Sequence, residues 1–390
     1  MSSRITAGID VGTYEVRVVV AERNAENSLP TILGTGRAES KGLRHGYIIN
    51  TADVVRSVGL AIAQAEKSSG TKIKKVFVSI GGVGLSGLDS GGSTIVTRAD
   101  QEITEDDTEQ AISAAEESIP KTLMQNRKII YSIPTLWKVD GKPVLGRVVG
   151  LKGIKLETKA LFVSCIESHL DDLVEAVEAA GVEVIDVVAS PIAASFVTLT
   201  KSQKIAGCVL ANIGAETVSI VVFENSIPIS LEVFSIGGSD ITNDIALGLK
   251  ISLEEAESIK LGGVTATSYS RKKLEDIISA RLGDIFELIE AHLKKIGKSG
   301  ILPAGIIITG GSSSVGPIED LARSYLRLPS RTVSLNIGNG KFQIKNSSWS
   351  VAYGLCIISN LPDEEERLGL KKHSQNIFKK VLQTLKQFLP

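Results

Sequence analysis

One pattern occurs twice in this chain, about half its length apart. Ile9-Asp10-Val11-Gly12-Thr13 leads into Val18-Val19-Val20, and Asn212-Ile213-Gly214-Ala215-Glu216-Thr217 leads into Ile220-Val221-Val222. Each copy is a β-branched run, a turn opened by glycine and a second β-branched run, which reads as strand, turn and strand. Two such units predict two homologous lobes, with any ligand held in the cleft between them. At roughly 100–200 residues per domain, a chain of 390 residues has room for both.

The remaining elements extend this theme. Ile5–Val11 and Glu15–Ala21 are predicted strands around Gly12-Thr13-Tyr14, with Thr31–Arg37 as a third. Thr51–Lys67 carries apolar residues at helical spacing, and Lys75–Ile80 is a buried-type strand ending at Gly81-Gly82. From Val83 to Val163 the texture changes to Gly, Ser, Thr and charged residues. Short strands (Ser93–Val96, Lys128–Ile133, Ala160–Ser164) and one helix (Asp106–Ser118) are expected there, as an inserted small α+β subdomain. Leu170–Ala180 then reads as helix, Glu183–Val188 as strand and Pro191–Leu199 as helix.

The second half predicts strands at Ala206–Ile213, Val218–Glu224 and Ile227–Val233. Helices follow at Asp240–Leu249, Leu253–Lys260 and Lys272–Ile296, then a strand at Gly305–Thr309 and a helix at Ser350–Ile358. The expected organisation is a first lobe from 1–82 and 164–200, an insert over 83–163, and a second lobe over 201–360. That second lobe holds a small subdomain at about 240–303. A linker over 361–372, with the acidic hinge Asp363–Glu366, precedes a terminal helix over 373–390.

Three turns suit a phosphate tail. Such a tail needs converging backbone N–H groups, and glycine lets the chain approach it closely. Gly12-Thr13 follows a buried strand and offers a hydroxyl, while Asp10 just before it could reach a hydrated Mg²⁺. Gly214–Thr217 repeats the arrangement, and Gly310-Gly311-Ser312 follows another buried strand. Each alone is also what an ordinary β-turn or a loop before a capped helix looks like. All three in this order, each at a strand end, point to a split nucleotide site.

Composition removes other classes. Hydrophobic residues are 43% and charged residues 22%, enough for a sizeable core and against wholesale disorder. The N-terminus reaches its glycine turn after a few apolar residues, so no signal peptide is expected, and no apolar run reaches the length of a membrane span. Cys165, Cys208 and Cys356 lie in apolar runs and read as core thiols. His45, His169 and His292 lack a partnered Ser or Cys motif and read as surface or structural; Trp137 and Trp349 read as packing residues.

Net charge is −1, but from Lys371 to the end five lysines stand with no acid, so the rest of the chain carries −6. That body, with 4% aromatic residues, offers no basic surface or stacking platform for nucleic acid. In the tail, Ile377, Phe378, Val381, Leu382, Leu385, Phe388 and Leu389 fall at i, i+1, i+4, i+5, i+8, i+11 and i+12, one continuous helical face. Lys379, Lys380 and Lys386 take the other side or its flanks. An in-plane membrane anchor on anionic lipid is the expected reading, each lysine adding about 1 kcal/mol. Docking of this helix on the chain's own core or on a partner is the alternative.

The order of the three turns resembles the actin/Hsp70/sugar-kinase ATPase fold, and within it the FtsA family of bacterial cell division. Ile236-Gly237-Gly238-Ser239-Asp240-Ile241-Thr242-Asn243-Asp244-Ile245-Ala246 resembles that family's "GG..IT.DIA" segment, followed by Ala256-Glu257-Ser258-Ile259-Lys260, similar to "AE.IK". Leu43–Ile49, the Asp140-Gly141 turn and Gly150–Glu157 are also similar. The resemblance implies a two-lobed α/β ATPase fold carrying an inserted α+β subdomain and a C-terminal amphipathic helix. It implies ATP with Mg²⁺. Gly12, Thr13 and Tyr14 would face the β- and γ-phosphates, and Asn212, Gly214, Ala215, Glu216 and Thr217 would form the second phosphate loop. Glu257 and Lys260 would lie near ribose and adenine, and Gly310, Gly311 and Ser312 would close over the nucleoside. Without the resemblance, Glu257 and Lys260 read as a solvated helix face with same-helix pairing.

The resemblance also implies a protein at the cytoplasmic face of the membrane, at the division septum. It would form filaments with copies of itself and tether FtsZ through the region around Ile251–Ile296. The insert would contact neighbouring copies and later division proteins. The second loop departs from the family's usual "DIGGGTTD". Asn212 and Ser219 replace acids and Glu216 replaces a glycine, removing candidates for holding Mg²⁺ or orienting water. Nucleotide binding with weak or no hydrolysis is the expectation, and Glu216 would repel phosphate unless turned outward or shared with the metal. A PilM-like adaptor of type IV pilus assembly is the alternative, against which the basic tail counts. A sugar-kinase-type phosphotransferase would need a general base over an acceptor hydroxyl, and no candidate is seen.

Overall fold

A computed structural model describes residues 5–23, 29–263, 268–338, 342–359 and 371–372. The acidic hinge Asp363–Glu366 and the segment Gln375–Leu389, expected to form the amphipathic helix, lie outside them. The described residues fall into two compact units: one holds both repeats, the other the insert.

In the first unit, β1 (Ile5–Val11), β2 (Glu15–Glu22) and β3 (Thr31–Glu39) form an antiparallel meander whose β-branched residues Ile9, Val16 and Val18–Val20 are fully buried. A small hairpin of β4 (Leu43–Arg44) and β5 (Tyr47–Ile48) leads to α1 (Thr51–Ser69). This helix begins where the Asn50 side chain accepts the Asp53 N–H, and ends at Gly70 in the left-handed region. Its stripe Val54, Val58, Ala61, Ile62 and Ala65 is buried against β3. The approach is backbone to backbone, because a Cβ on Gly36 would lie 2.0 Å from the Ala61 carbonyl oxygen. β6 (Lys75–Ile80) then runs parallel to β1.

The insert supplies β7 (Ser86–Ile95), α2 (Glu105–Glu117), α3 (Lys121–Met124), β8 (Arg127–Val139), β9 (Lys142–Val144) and β10 (Lys155–Ile166). Thr104 and Asp107 close a reciprocal capping box at the start of α2. Two small apolar clusters, one around Ile112 and Phe162 and one around Ile103 and Leu156, hold the unit, and Trp137 packs against both. Its strands run longer than predicted. β7 carries Gly and Ser on both faces, which gives no clean alternation, and β8 continues through Pro134.

The chain returns to the first unit through α4 (Glu167–Ala179), β11 (Glu183–Ala189), α5 (Ser190–Thr198) and α6 (Lys201–Ala206). Ala206 was expected to open a strand. It ends α6 instead, because Thr200 and Gln203 form a capping box there and Gly207, at φ 98°, turns the chain before the strand begins. The first sheet has the order β11-β6-β1-β2-β3.

The second repeat consists of β12 (Cys208–Ile213), β13 (Val218–Glu224), β14 (Ile227–Phe234), α7 (Gly238–Leu249), α8 (Leu253–Lys260), α9 (Arg271–Lys295), β15 (Ile306–Thr309), α10 (Ile318–Leu326), β16 (Ser330–Thr332) and α11 (Ser350–Ser359). Its sheet has the order β16-β15-β12-β13-β14. In both sheets the first three strands are antiparallel and the other two add in parallel beside the first. The backbone therefore carries the duplication read from the two glycine turns. α9 buries Leu282, Ile285, Phe286 and Ile289 in this repeat's core. α11 crosses α5 so closely that a Cβ on Gly354 would lie 2.0 Å from the Ala193 carbonyl oxygen.

β17 (Lys371–Lys372) pairs antiparallel with Ser132 and Tyr131 of β8, within the insert's unit. The segment read as the end of a linker thus includes a strand pairing that nothing local signals. Among the described residues, no helix is long and apolar enough to cross a membrane.

Candidate functional site

Because β1 and β6 are parallel, the Gly12 and Gly81-Gly82 turns leave the first sheet at the same end; β12 and β15 do likewise with Gly214 and Gly310-Gly311. Open sheets of this kind bind ligands outside the carboxyl ends of their parallel strands. All four turns line one cavity of about 1130 Å³.

On the first side, the Asp10 carboxylate accepts the Ser79 hydroxyl at 2.7 Å and faces Arg17, its register partner on β2. Burial pushes the Asp10 carboxyl above its ordinary value, against the pull of Ser79 and Arg17. Thr13 and Tyr14 complete this wall.

On the second side, the Gly214 N–H donates to the Thr217 carbonyl at 2.9 Å and closes the turn. The turn is braced from behind. Gly238 N–H donates to the Gly214 carbonyl at 2.9 Å, Ser239 N–H to the Ala215 carbonyl at 2.7 Å, and the Ser312 hydroxyl to the Gly214 carbonyl at 3.2 Å. Gly310, at φ 99°, passes directly beside Asn212 and Ile213.

Of the residues expected at the site, Asp10, Gly12, Thr13, Tyr14, Asn212, Gly214, Ala215, Thr217, Glu257, Lys260, Gly310, Gly311 and Ser312 all line the cavity. Glu216 does not. Its carboxylate turns toward the first repeat and accepts the backbone N–H of His45.

The reading of Glu257 and Lys260 as a solvated face is corrected. Only 5% of the Lys260 side chain is exposed, and its Nζ donates to the Gly238 carbonyl at 3.0 Å and the Thr242 hydroxyl at 2.8 Å. The same-helix pairing is real, at 2.6 Å, but it lies at the cavity wall.

Other lining residues carried no assignment from the sequence. Arg17 could have been found from the hairpin register, and Gly81-Gly82 from its match to Gly310-Gly311. Ser190, His169 and Trp349 gave no local signal. Trp349 does pack against the core around Tyr353, as expected, yet it also faces the cavity with the Arg17 guanidinium 5.9 Å from its ring centre. His169 is buried, its Nε2 lies 3.3 Å from the Gly81 carbonyl, and burial lowers its pKa.

His292 finds a serine in space that it lacks in sequence: its Nε2 lies 2.8 Å from the Ser230 hydroxyl and its Nδ1 3.6 Å from Glu232. Ser230 and His292 are buried, and none of the three lines the cavity. Burial pushes His292 down to about 4. Stability tied to the neutral ring is therefore complete above the ordinary histidine pKa and is lost as pH falls from about 6.5 toward 4. Melting curves should lose on the order of 2 kcal/mol across that window, and His292→Gln should flatten the loss. The three cysteines are buried and in no disulfide, with burial raising Cys208 to about 11 and Cys356 to about 12.

Among the described residues, no three acidic, histidine or cysteine side chains cluster to hold a metal ion. Asp10, Thr13 and Asn212 all line the cavity, and any Mg²⁺ there would need water and phosphate oxygens to fill most of its shell.

Residues 209–354 match the family model for cell division protein FtsA, and residues 88–164 match the SHS2 domain inserted in FtsA. Among solved structures, the PilM–PilN type IV pilus biogenesis complex matches with a TM-score of 0.68 at 16% identity, covering 92% of this chain and 99% of that one. MreB5 of Spiroplasma citri bound to ADP matches with a TM-score of 0.53 at 11% identity, covering 97% and 98%. Both likenesses show the two-lobed actin-like fold. The cell division protein FtsA of Borreliella burgdorferi is 31% identical over 405 aligned positions, which span 97% of this chain and 96% of that protein. At that identity and coverage, the chain belongs to the FtsA family, the actin-like proteins of bacterial cell division.

Proposed function

We propose that the cleft binds ATP with Mg²⁺, and that the nucleotide acts as an assembly switch rather than a fuel. The observation that carries this is the convergence of four glycine turns, two from each repeat, on one cavity. Backbone N–H groups at Gly12-Thr13 and Gly214–Thr217 would hold the phosphates, and Asp10 would take Mg²⁺ through water. Lys260, Glu257 and Gly310–Ser312 would surround the nucleoside. That MreB5 of the same fold is bound to ADP supports reading the cleft as a nucleotide site.

Hydrolysis is slow or absent in this reading. Asn212 and Ser219 offer no carboxylate near the γ-phosphate, and Glu216 faces away from the cavity. The switch would govern self-assembly into filaments on the inner face of the membrane, held there by the tail helix over 373–390. The small subdomain of the second repeat would bind FtsZ, and the insert would meet neighbouring copies and later division proteins. The pilus-type reading rests on fold likeness alone at 16% identity.

Titration with a fluorescent ATP analogue and Mg²⁺ is expected to saturate at one site per chain, with Lys260→Ala weakening it at least about tenfold through the charge left unpaired on Glu257. No saturable binding sinks the nucleotide reading. A turnover in the range of about 1–100 s⁻¹ typical of kinases sinks the switch.

A further inference from the structure

Glu216 stands at the tip of the second hairpin turn, where a glycine would serve the turn itself. Its carboxylate accepts the His45 N–H at 2.5 Å, and its carbonyl oxygen lies 3.3 Å from His45 Nδ1. His45 belongs to the β4–β5 hairpin of the first repeat, 171 residues away.

Both ends of this contact are fixed. His45, Gly46 and Gly82 all have φ in the left-handed region, at 48°, 85° and 86°. A Cβ on Gly46 would lie 2.3 Å from the Gly82 Cα, and Val83 N–H donates to the His45 carbonyl. The hairpin is therefore seated on the Gly81-Gly82 turn, itself part of the cavity wall. On the other side, the Gly214-Ala215 turn is held by Gly238 and Ser239. The bond joins one cavity-lining turn of each repeat, and its acceptor is charged, which makes it roughly twice as strong as a neutral bond.

We propose that Glu216 is a cross-lobe tether: by holding the backbone of His45 it keeps the cleft closed and sets how fast a bound nucleotide leaves. It is a positioning residue, acting through the two turns without touching the ligand. The inference rests on the nucleotide reading of the cleft.

The test loads the full chain with a fluorescent ATP analogue and Mg²⁺, then chases with excess unlabelled ATP in a stopped-flow instrument. Glu216→Ala is expected to release the analogue about tenfold faster with little change in the association rate. Glu216→Gln keeps an acceptor oxygen and should stay within about threefold of the parent. Release from Glu216→Ala at the parent rate overturns the tether, as does Glu216→Gln matching the alanine variant. A parent chain that takes up no analogue overturns the nucleotide reading instead, so the two failures are told apart.

Discussion

Alanine at Gly310 should lower the affinity for an ATP analogue by about 100-fold and cost about 3 kcal/mol of folding stability. The added Cβ would meet the Ile213 carbonyl oxygen at 2.4 Å, the Asn212 side-chain oxygen at 2.5 Å and the Ile213 amide at 2.8 Å. Two of these are backbone atoms of β12, and no rotamer change moves them. The φ of 99° adds strain of about 1–3 kcal/mol for any residue with a side chain. The last residues of β12 must shift, and they lead into the Gly214–Thr217 turn at the cavity wall. Gly311 provides the control, since a Cβ there meets nothing within 4 Å. Gly311→Ala should melt with the parent chain. Equal loss of stability in both variants, read by thermal unfolding, would show that close approach at Gly310 is not the cause.

A chain stopped after Leu370 should remain in the supernatant when anionic liposomes are spun down, while the full chain pellets. The segment removed carries all seven apolar residues of the amphipathic face and five lysines. Full burial of a large apolar side chain is worth roughly 1.5–3 kcal/mol, so even partial insertion of seven gives strong partitioning. Phe378→Glu should reduce sedimentation by at least about 100-fold, replacing an inserted ring with a carboxylate at an anionic surface. This variant is the sharper one because it leaves Lys371–Lys372 and their pairing with β8 in place. Added salt should weaken the full chain's binding, since the lysines act through a screened field. If the full chain also stays in the supernatant, the membrane-anchor reading of the tail fails.

Local signals account for what the sequence made legible. β6, β13 and α8 have the predicted bounds, because β-branched runs, glycine turns and the Ser252 cap all speak within a few residues. The turns that line the cavity were legible for the same reason, as they announce themselves by glycine. Features set by distant partners were not. Lys260 looks like a surface lysine beside Glu257 until α7 brings the Gly238 carbonyl and Thr242 onto it. The direction of Glu216 depends on a hairpin in the other repeat. Trp349 and His169 reach the cavity from segments whose own patterns describe only packing. The strand expected over Lys128–Ile133 runs on through Pro134 because the described neighbours on one side pair only at Tyr131–Ser132 and Trp137–Val139, leaving no ladder bond there for proline to lack.

The two sheets share one strand order, so the walls of the cleft are the same part made twice. What both copies retain is main chain: a glycine turn at the end of a parallel strand. What differs between them is side chain, Asp10 and Thr13 in one and Asn212 and Glu216 in the other. Every residue but proline carries a backbone N–H, so substitutions that change the carboxylates leave this main-chain frame in place. In such a design, recognition and reaction are inherited separately. A receptor can arise from a catalyst by altering a few side chains in one copy, with no change to the architecture that holds the ligand.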